Sequence, residues 1–269
     1  MDIIRNDNFS FLRMFMLLKR EWTANRSKLL MQGGILVGIL AMIYFFVIQS
    51  SYEDDYGVSK LDDTAAYILV FVMAFCANLA SAISASLICN NLATKSGKIN
   101  AFMSVGTPLE KYAVRFIIYI LGAVILLFLA IFILDFIRIC YVSIAYPNYD
   151  VKSIYTVICM EFPHDASYSI AMFLLAPAAF IFNQAFFTLM SSITPTYTFI
   201  KGFAVSLAIG VVANLFFIVV LPLFYWIPLT KLSGTGFCAL LIFASVMLLI
   251  TSAVFHIIAY YKFKETDLR

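Results

Sequence analysis

Six long apolar stretches run through the chain, at residues 29–48, 65–92, 116–134, 170–190, 202–221 and 237–261. Each is long enough to cross a bilayer, which takes ~20 residues of helix at 1.5 Å rise per residue. A lone strand in hydrocarbon would leave N–H and C=O groups unpaired, so runs of this length are predicted to be helices. The pattern predicts an all-α polytopic membrane protein with three parts. These are an N-terminal segment 1–28, a six-helix transmembrane domain 29–261 and a short tail 262–269.

Residues 9–26 repeat differently. At 100° per residue Phe11, Met14, Phe15, Leu18 and Trp22 share one face, with Arg13, Arg20 and Thr23 opposite. This is the pattern of an amphipathic interfacial helix, an elbow leading into the first span. The 28 residues before the first stretch are too polar for a signal-peptide core, so the first helix is expected to be retained.

Polar and small residues inside the stretches mark where helices meet. The first holds Gly34 and Gly38 beside Gly33, a spacing that allows close backbone approach within the chain or in a dimer. The second carries small-residue rows with Asn78 and Ser81. An unpaired amide in hydrocarbon costs several kcal/mol, so Asn78 is expected to find a partner on another helix or water in a cavity. The fourth carries Pro177 and then Asn183-Gln184, predicting a kink and a polar side. In the fifth, Gly202, Ser206, Gly210 and Asn214 recur every four residues, predicting a tight seam. These polar positions either pack helices together or line a path.

Charge sets the orientation. Placing the N-terminus inside puts fourteen of the eighteen Lys and Arg residues on the inner side: six before residue 29, then Lys95, Lys98, Lys111, Arg115, Lys201, Lys262, Lys264 and Arg269. Lys60, Arg138, Lys152 and Lys231 remain outside, where Glu53, Asp54, Asp55, Asp62 and Asp63 crowd the first loop. Both termini are therefore expected to be cytoplasmic. The net charge of +3 reflects this dipolar layout rather than a nucleic-acid patch. A composition that is 63% hydrophobic and 12% charged, with short connectors, leaves no room for a separate soluble domain.

The largest inner connector lies between the second and third stretches. Thr107-Pro108-Leu109-Glu110 reads as a helix start, with Thr107 as N-cap, Pro108 first and Glu110 at N3. It is either a rigid knob for a partner or a solvated loop. Ser96-Gly97-Lys98-Ile99 imitates the end of a phosphate-binding loop. Leu92 and Ile99 stand where a Walker A motif needs Gly and Ser or Thr, so the chain has no nucleotide-binding motif of its own.

Asp135 and Arg138 are three residues apart near the outer end of the third stretch. There an i, i+3 pair can snorkel to water, a structural role that competes with contact to a substrate or proton. The five cysteines lack metal-ligand spacing. Cys140 and Cys159 alone share an outer loop in which a disulfide is conceivable. Glu161, His164 and Asp165 form a weak metal pattern, read as a solvated loop. With only Asp135 as a carboxylate and His256 as a base inside the spans, no catalytic constellation forms, so neither an enzyme nor a bound metal is expected.

The basic start Phe11-Leu-Arg-Met-Phe-Met-Leu-Leu-Lys-Arg-Glu-Trp22 runs into Asn25-Arg-Ser-Lys-Leu-Leu30 and the first span. Six spans, a long first inner loop with Glu110-Lys111-Tyr112 and a cationic end Tyr261-Lys-Phe-Lys264 complete the layout. Over nearly its whole length the chain resembles an ABC-2-type permease, the transmembrane subunit of a bacterial ABC transporter. In that family the loop often carries a Leu-Pro-Ala-Ser-like segment before Glu-Lys; here Ser104-Val-Gly-Thr-Pro108 stands in its place.

The resemblance implies a multi-pass protein of the bacterial cytoplasmic membrane, surrounded by lipid and probing no nucleic acid. Two six-helix subunits, alike or different, would form an export path. A separate cytoplasmic ATPase subunit would bind ATP, and the chain itself would need no cofactor. Coupling to that subunit would fall to Lys95, Lys98, Glu110, Lys111 and Arg115, with the interfacial helix residues Phe11, Phe15, Leu18 and Trp22 and the 191–201 segment. Asn78, Ser81, Asn183, Gln184, Gly210 and Asn214 are the candidates for the path or for helix packing. A non-transporting membrane scaffold or sensor subunit is the other reading; a polar cavity lined by Asn78, Ser81 and Asn214 would favour transport, a solid apolar bundle the scaffold.

Overall fold

The computed structural model describes residues 9–51, 63–104, 106–147, 151–154, 156, 166–224 and 234–268, and in these the only regular structure is helical. Helix α1 spans Phe11–Ser51 and α2 spans Asp63–Ser86. A 3-10 turn at Asn90–Ala93 leads to the short helices α3, Lys95–Met103, and α4, Pro108–Phe116. A π-turn at Ile117–Leu121 joins α4 to α5, Gly122–Ala145. Helices α6, Ala166–Ile193, α7, Thr198–Phe224, and α8, Gly234–Leu268, complete the chain. Among the described residues five helical segments are long and apolar enough to cross a membrane: Phe11–Gln49, Ile68–Ser86, Pro108–Ala145, Phe173–Ile193 and Cys238–Thr266. Helix α7 contributes a shorter apolar segment, Thr198–Val212.

The first stretch differs from the expected elbow. Its 41 residues form one helix, at 1.5 Å per residue about 61 Å long and twice the thickness of the hydrocarbon. The reason is local: from Phe11 to Gln32 there is no Gly or Pro to break the helix. The predicted interfacial face divides. Met14 and Leu18 turn inward with Leu17, onto a cluster built on Ile88, Val114, Tyr119 and Phe263, whereas Phe11, Phe15 and Trp22 stay exposed. Helix α8 continues through most of the predicted tail, to Leu268.

The second stretch stops being α-helical at Ser86, six residues before its predicted end. Polar side chains in this segment bond the backbone and compete with the helix. Ser81 and Ser86 donate to carbonyls three residues back, Asn78 and Ile83.

Helix α2 sits centrally, against α1, α5 and α6. Helices α6 and α8 form the most extensive pair, and α4 bridges α1 to α8. At the π-turn the Gly122 N–H bonds the Ile117 carbonyl, and Ser84 of α2 donates to the Tyr119 carbonyl inside the turn. One inserted residue rotates the following helix by about 100°, so α4 and α5 show different faces to α1.

The expected glycine seams are filled only in part. A Cβ on Gly33 would meet Leu126 at 3.1 Å, so Gly33 makes the close packing to α5, while Gly34 and Gly38 have open space within 4 Å. Gly202 packs on Phe187, but Gly210 has nothing within that distance and Ser206 is only half-buried. The side chain of Asn214, the 161–165 loop, the 225–233 connector and Cys159 lie outside what is described. Cys140 is exposed on α5, and its pairing with Cys159 stays a sequence expectation.

Candidate functional site

One face of the bundle gathers the starts of α1, α4 and α7 and the ends of α2, α6 and α8. Helix α4 organises it. Thr107 caps α4 by accepting from the Glu110 N–H at 3.3 Å, and the Glu110 carboxylate accepts from the Thr107 N–H at 3.0 Å. This is the capping box that the sequence spells. Glu110, fully buried, also accepts from the Ser10 N–H at 2.7 Å and from an Arg13 N–H at 3.2 Å. One carboxylate thus fastens the beginning of α1 to the beginning of α4.

The next two cations of α4 also point inward. Lys111 donates to the Ala101 carbonyl near the end of α3 at 2.9 Å. Arg115 donates to the Ile88 carbonyl just past α2 at 3.2 Å, and its guanidinium lies 5.3 Å from the centre of the Phe263 ring. Each places positive charge at a helix C-terminal end, where the helix dipole favours it. Tyr112 packs on Tyr260 and Phe263 with ring centres 5.7 and 5.8 Å apart. The end of α6 is tied in by Ser191, which accepts from the Cys89 N–H at 2.9 Å and donates to the Ser86 carbonyl at 3.0 Å.

The five residues expected to face a partner therefore separate. Glu110, Lys111 and Arg115 are buried among the chain's own helices, whereas Lys95 and Lys98 on α3 are exposed. Ile99 and Met103 on the same helix are exposed as well, Met103 at 75%. Helix α3 is the exposed element here, and α4 is the buried one beside it. The glycine of the false phosphate loop lies in the first turn of α3: an added Cβ at Gly97 would lie 1.8 Å from the Asn91 carbonyl oxygen, so only glycine lets α3 start so close to the preceding turn.

Three of the membrane-level polar residues meet at the Asn78 carbonyl, which accepts from Ser81 and Asn183, rather than around a shared cavity. Asn78 donates to the Ala74 carbonyl of its own helix, and its backbone carbonyl accepts from Asn183 of α6 at 3.1 Å. Gln184 is buried, its carbonyl accepting from Thr188 at 2.8 Å. Ser81 lines a cavity of about 270 Å³ between α1, α2 and α5 whose other walls are mainly apolar; Asn78 and Asn183 are not in its lining. His256 packs edge-on against Phe116, ring centres 5.4 Å apart.

At the opposite face Asp135 and Arg138 form the expected pair at 3.0 Å, but it is buried rather than turned to water. The chain folds over it, with Arg138 donating to the Lys152 carbonyl at 2.6 Å and the Ile154 N–H donating to Asp135 at 3.1 Å. Nineteen residues of near-continuous helix, about 28 Å, separate Asp135 from Phe116 and hence from His256, so carboxylate and base share no site. Among the described residues no group of three or more His, Cys, Asp and Glu could hold a metal ion.

Sequence reasoning missed Arg13, Ser84, Ser191 and Phe263 as joints of this framework. The signal for the serines was a hydroxyl inside an apolar run. The Arg13 contact spans the chain too widely for local spacing to show it.

No protein-family model matches the chain, and no significant match is found among curated proteins or among solved structures.

Proposed function

We propose that this chain is the transmembrane subunit of an ABC exporter of the ABC-2 permease type. Its six helices cross the cytoplasmic membrane with both termini inside, and two such subunits enclose the path. A separate ATPase subunit binds and hydrolyses ATP. The observation that carries this reading is the exposed helix α3 mounted on a buried frame that reaches α1, α2 and α8. Force applied to Lys95, Lys98, Ile99 and Met103 passes through the Lys111 and Arg115 bonds into the ends of the spanning helices. Among the described residues, Arg13, Lys95, Lys98, Lys111, Arg115, Lys201 and Lys262 lie on the elements of this face, which supports its reading as the cytoplasmic side. The near-continuous helix from α4 to α5 supports the span: about 30 Å of it separates buried Arg115 from buried Asp135, the thickness of hydrocarbon.

The alternative, a non-transporting scaffold, is favoured by the mainly apolar membrane cavity and by the pairing of Asn183 with Asn78. Purifying the chain from native membranes and assaying the eluate for ATP hydrolysis separates the two. A transporter subunit brings an ATPase whose rate responds to a transported compound. A scaffold brings none, or one indifferent to every compound tried.

A further inference from the structure

Two cavities adjoin along α1. The first, about 280 Å³, lies between α1, the 91–97 segment and α4, and its lining includes Arg20, Lys111 and Arg115 against one carboxylate, Glu21. Glu21 is itself engaged, accepting from the Asn25 amide at 3.1 Å. Thr94, Ser96 and Gly97 also line it, which turns the positive end of the nine-residue helix α3 toward the space. Lys111, Arg115 and Asn25 are nine-tenths or more buried, so the cations are held in place rather than waving in solvent.

The second cavity is the apolar one of about 270 Å³; it shares α1 with the first, and its other main walls, α2 and the π-turn with α5, adjoin the 91–97 segment and α4 in the chain. On α1 it runs from Trp22 and Leu29 to Leu36, on α2 from Leu87 back to Ala77, and past α4 from Ile118 to Leu127. Gly33 and Gly122 leave the room between α1 and α5. Exposed Leu30, Ile83 and Leu126 form its rim, so it opens sideways to lipid. The two linings adjoin between Asn91 and Leu87 and between Arg115 and Ile118, and they overlap on α1 from Trp22 to Asn25.

We propose that this trench holds one anionic glycerophospholipid, with its phosphate among Arg20, Lys111, Arg115 and the start of α3 and an acyl chain along Gly33 and Gly122. A fixed cationic cavity directly below an apolar groove matches an anionic headgroup joined to a hydrocarbon chain. Basic pockets between helices at a membrane surface favour such headgroups over zwitterionic ones. The inference needs the chain to lie in a membrane, but not to transport anything.

The test uses the full chain in neutral detergent, with native mass spectrometry counting bound lipid as phosphatidylglycerol or phosphatidylcholine is added. Phosphatidylglycerol is expected to bind as one tight copy, and phosphatidylcholine not. Arg20→Gln, an exposed position, should weaken it about five-fold, the factor that ~1 kcal/mol per cation near the surface implies. Lys19→Gln, which removes a neighbouring charge outside the lining, should leave binding unchanged. Ala80→Phe, which fills the apolar groove, should abolish the tight copy. Equal retention of both lipids, equal loss in the two charge variants, or tight binding that survives Ala80→Phe overturns the proposal. So does displacement of the lipid by millimolar glycerol phosphate, which would make this a site for a soluble phosphate ester.

Discussion

Arg13 and Glu110, ninety-seven residues apart in the chain, meet at 3.2 Å where α1 begins and α4 begins. The carboxylate is fully buried and the guanidinium partly exposed, and the backbone N–H groups of Ser10 and Thr107 complete the carboxylate's partners. Glu110 is therefore a junction with three donors, of which Arg13 is one.

Removing the junction should cost more than removing one donor. Glu110→Ala strands two N–H groups and a cation and is expected to cost ~3 kcal/mol, against ~1 kcal/mol for Arg13→Gln. Thermal unfolding in detergent, followed by tryptophan fluorescence or aggregation, ranks them. Equal losses would mean that the ion pair alone matters and the backbone bonds do not.

The capping residue makes a narrower case. Thr107→Ala should lose ~1 kcal/mol of stability and Thr107→Ser almost none, because the serine hydroxyl still accepts from the Glu110 N–H. The same unfolding measurement applies, and a serine variant as weak as alanine would show that the methyl contact, not the cap, is what counts.

Much of this was legible from residue order. The apolar stretches coincide with helices because a backbone in hydrocarbon must satisfy itself, and the Thr107 to Glu110 box formed because its chemistry is local. What order did not show is which way α4 faces. Glu110-Lys111 and Arg115 read either as a partner's grip or as a solvated loop, yet each finds a helix end or a backbone donor contributed by a distant segment. Nor did it show that Gly33, rather than the Gly34 and Gly38 pair, carries the packing to α5: neighbouring residues on a helix differ by 100°, and only the contact with Leu126 selects among them.

That selection yields a prediction about assembly. Gly38→Leu meets open space within the subunit, so its folding should be unaffected, whereas a second subunit on that face would be pushed away. Crosslinking in membranes and light scattering in detergent should show less dimer for Gly38→Leu and unchanged monomer stability. Undiminished dimer would place the subunit contact on another face.

The buried pair at the far side behaves oppositely to a catalytic one. Asp135→Asn leaves Arg138 buried beside a neutral amide and should cost ~3 kcal/mol or more, while replacing both residues together by hydrophobic ones should cost less. Stability of the single and double variants decides it. A single variant with native stability and lost function would instead make Asp135 a working group.

In the proposed transporter, α3 is where an external ATPase acts on the bundle. Lys95 and Lys98 are exposed, so the double variant Lys95→Glu, Lys98→Glu should keep its stability within about 0.5 kcal/mol. The deciding measurement is ATP hydrolysis co-purifying with this variant compared with the native chain, at equal yield and equal Tm. The account predicts that the native chain brings an ATPase and the variant loses it. Hydrolysis retained in full by the variant, or absent from both, would contradict it.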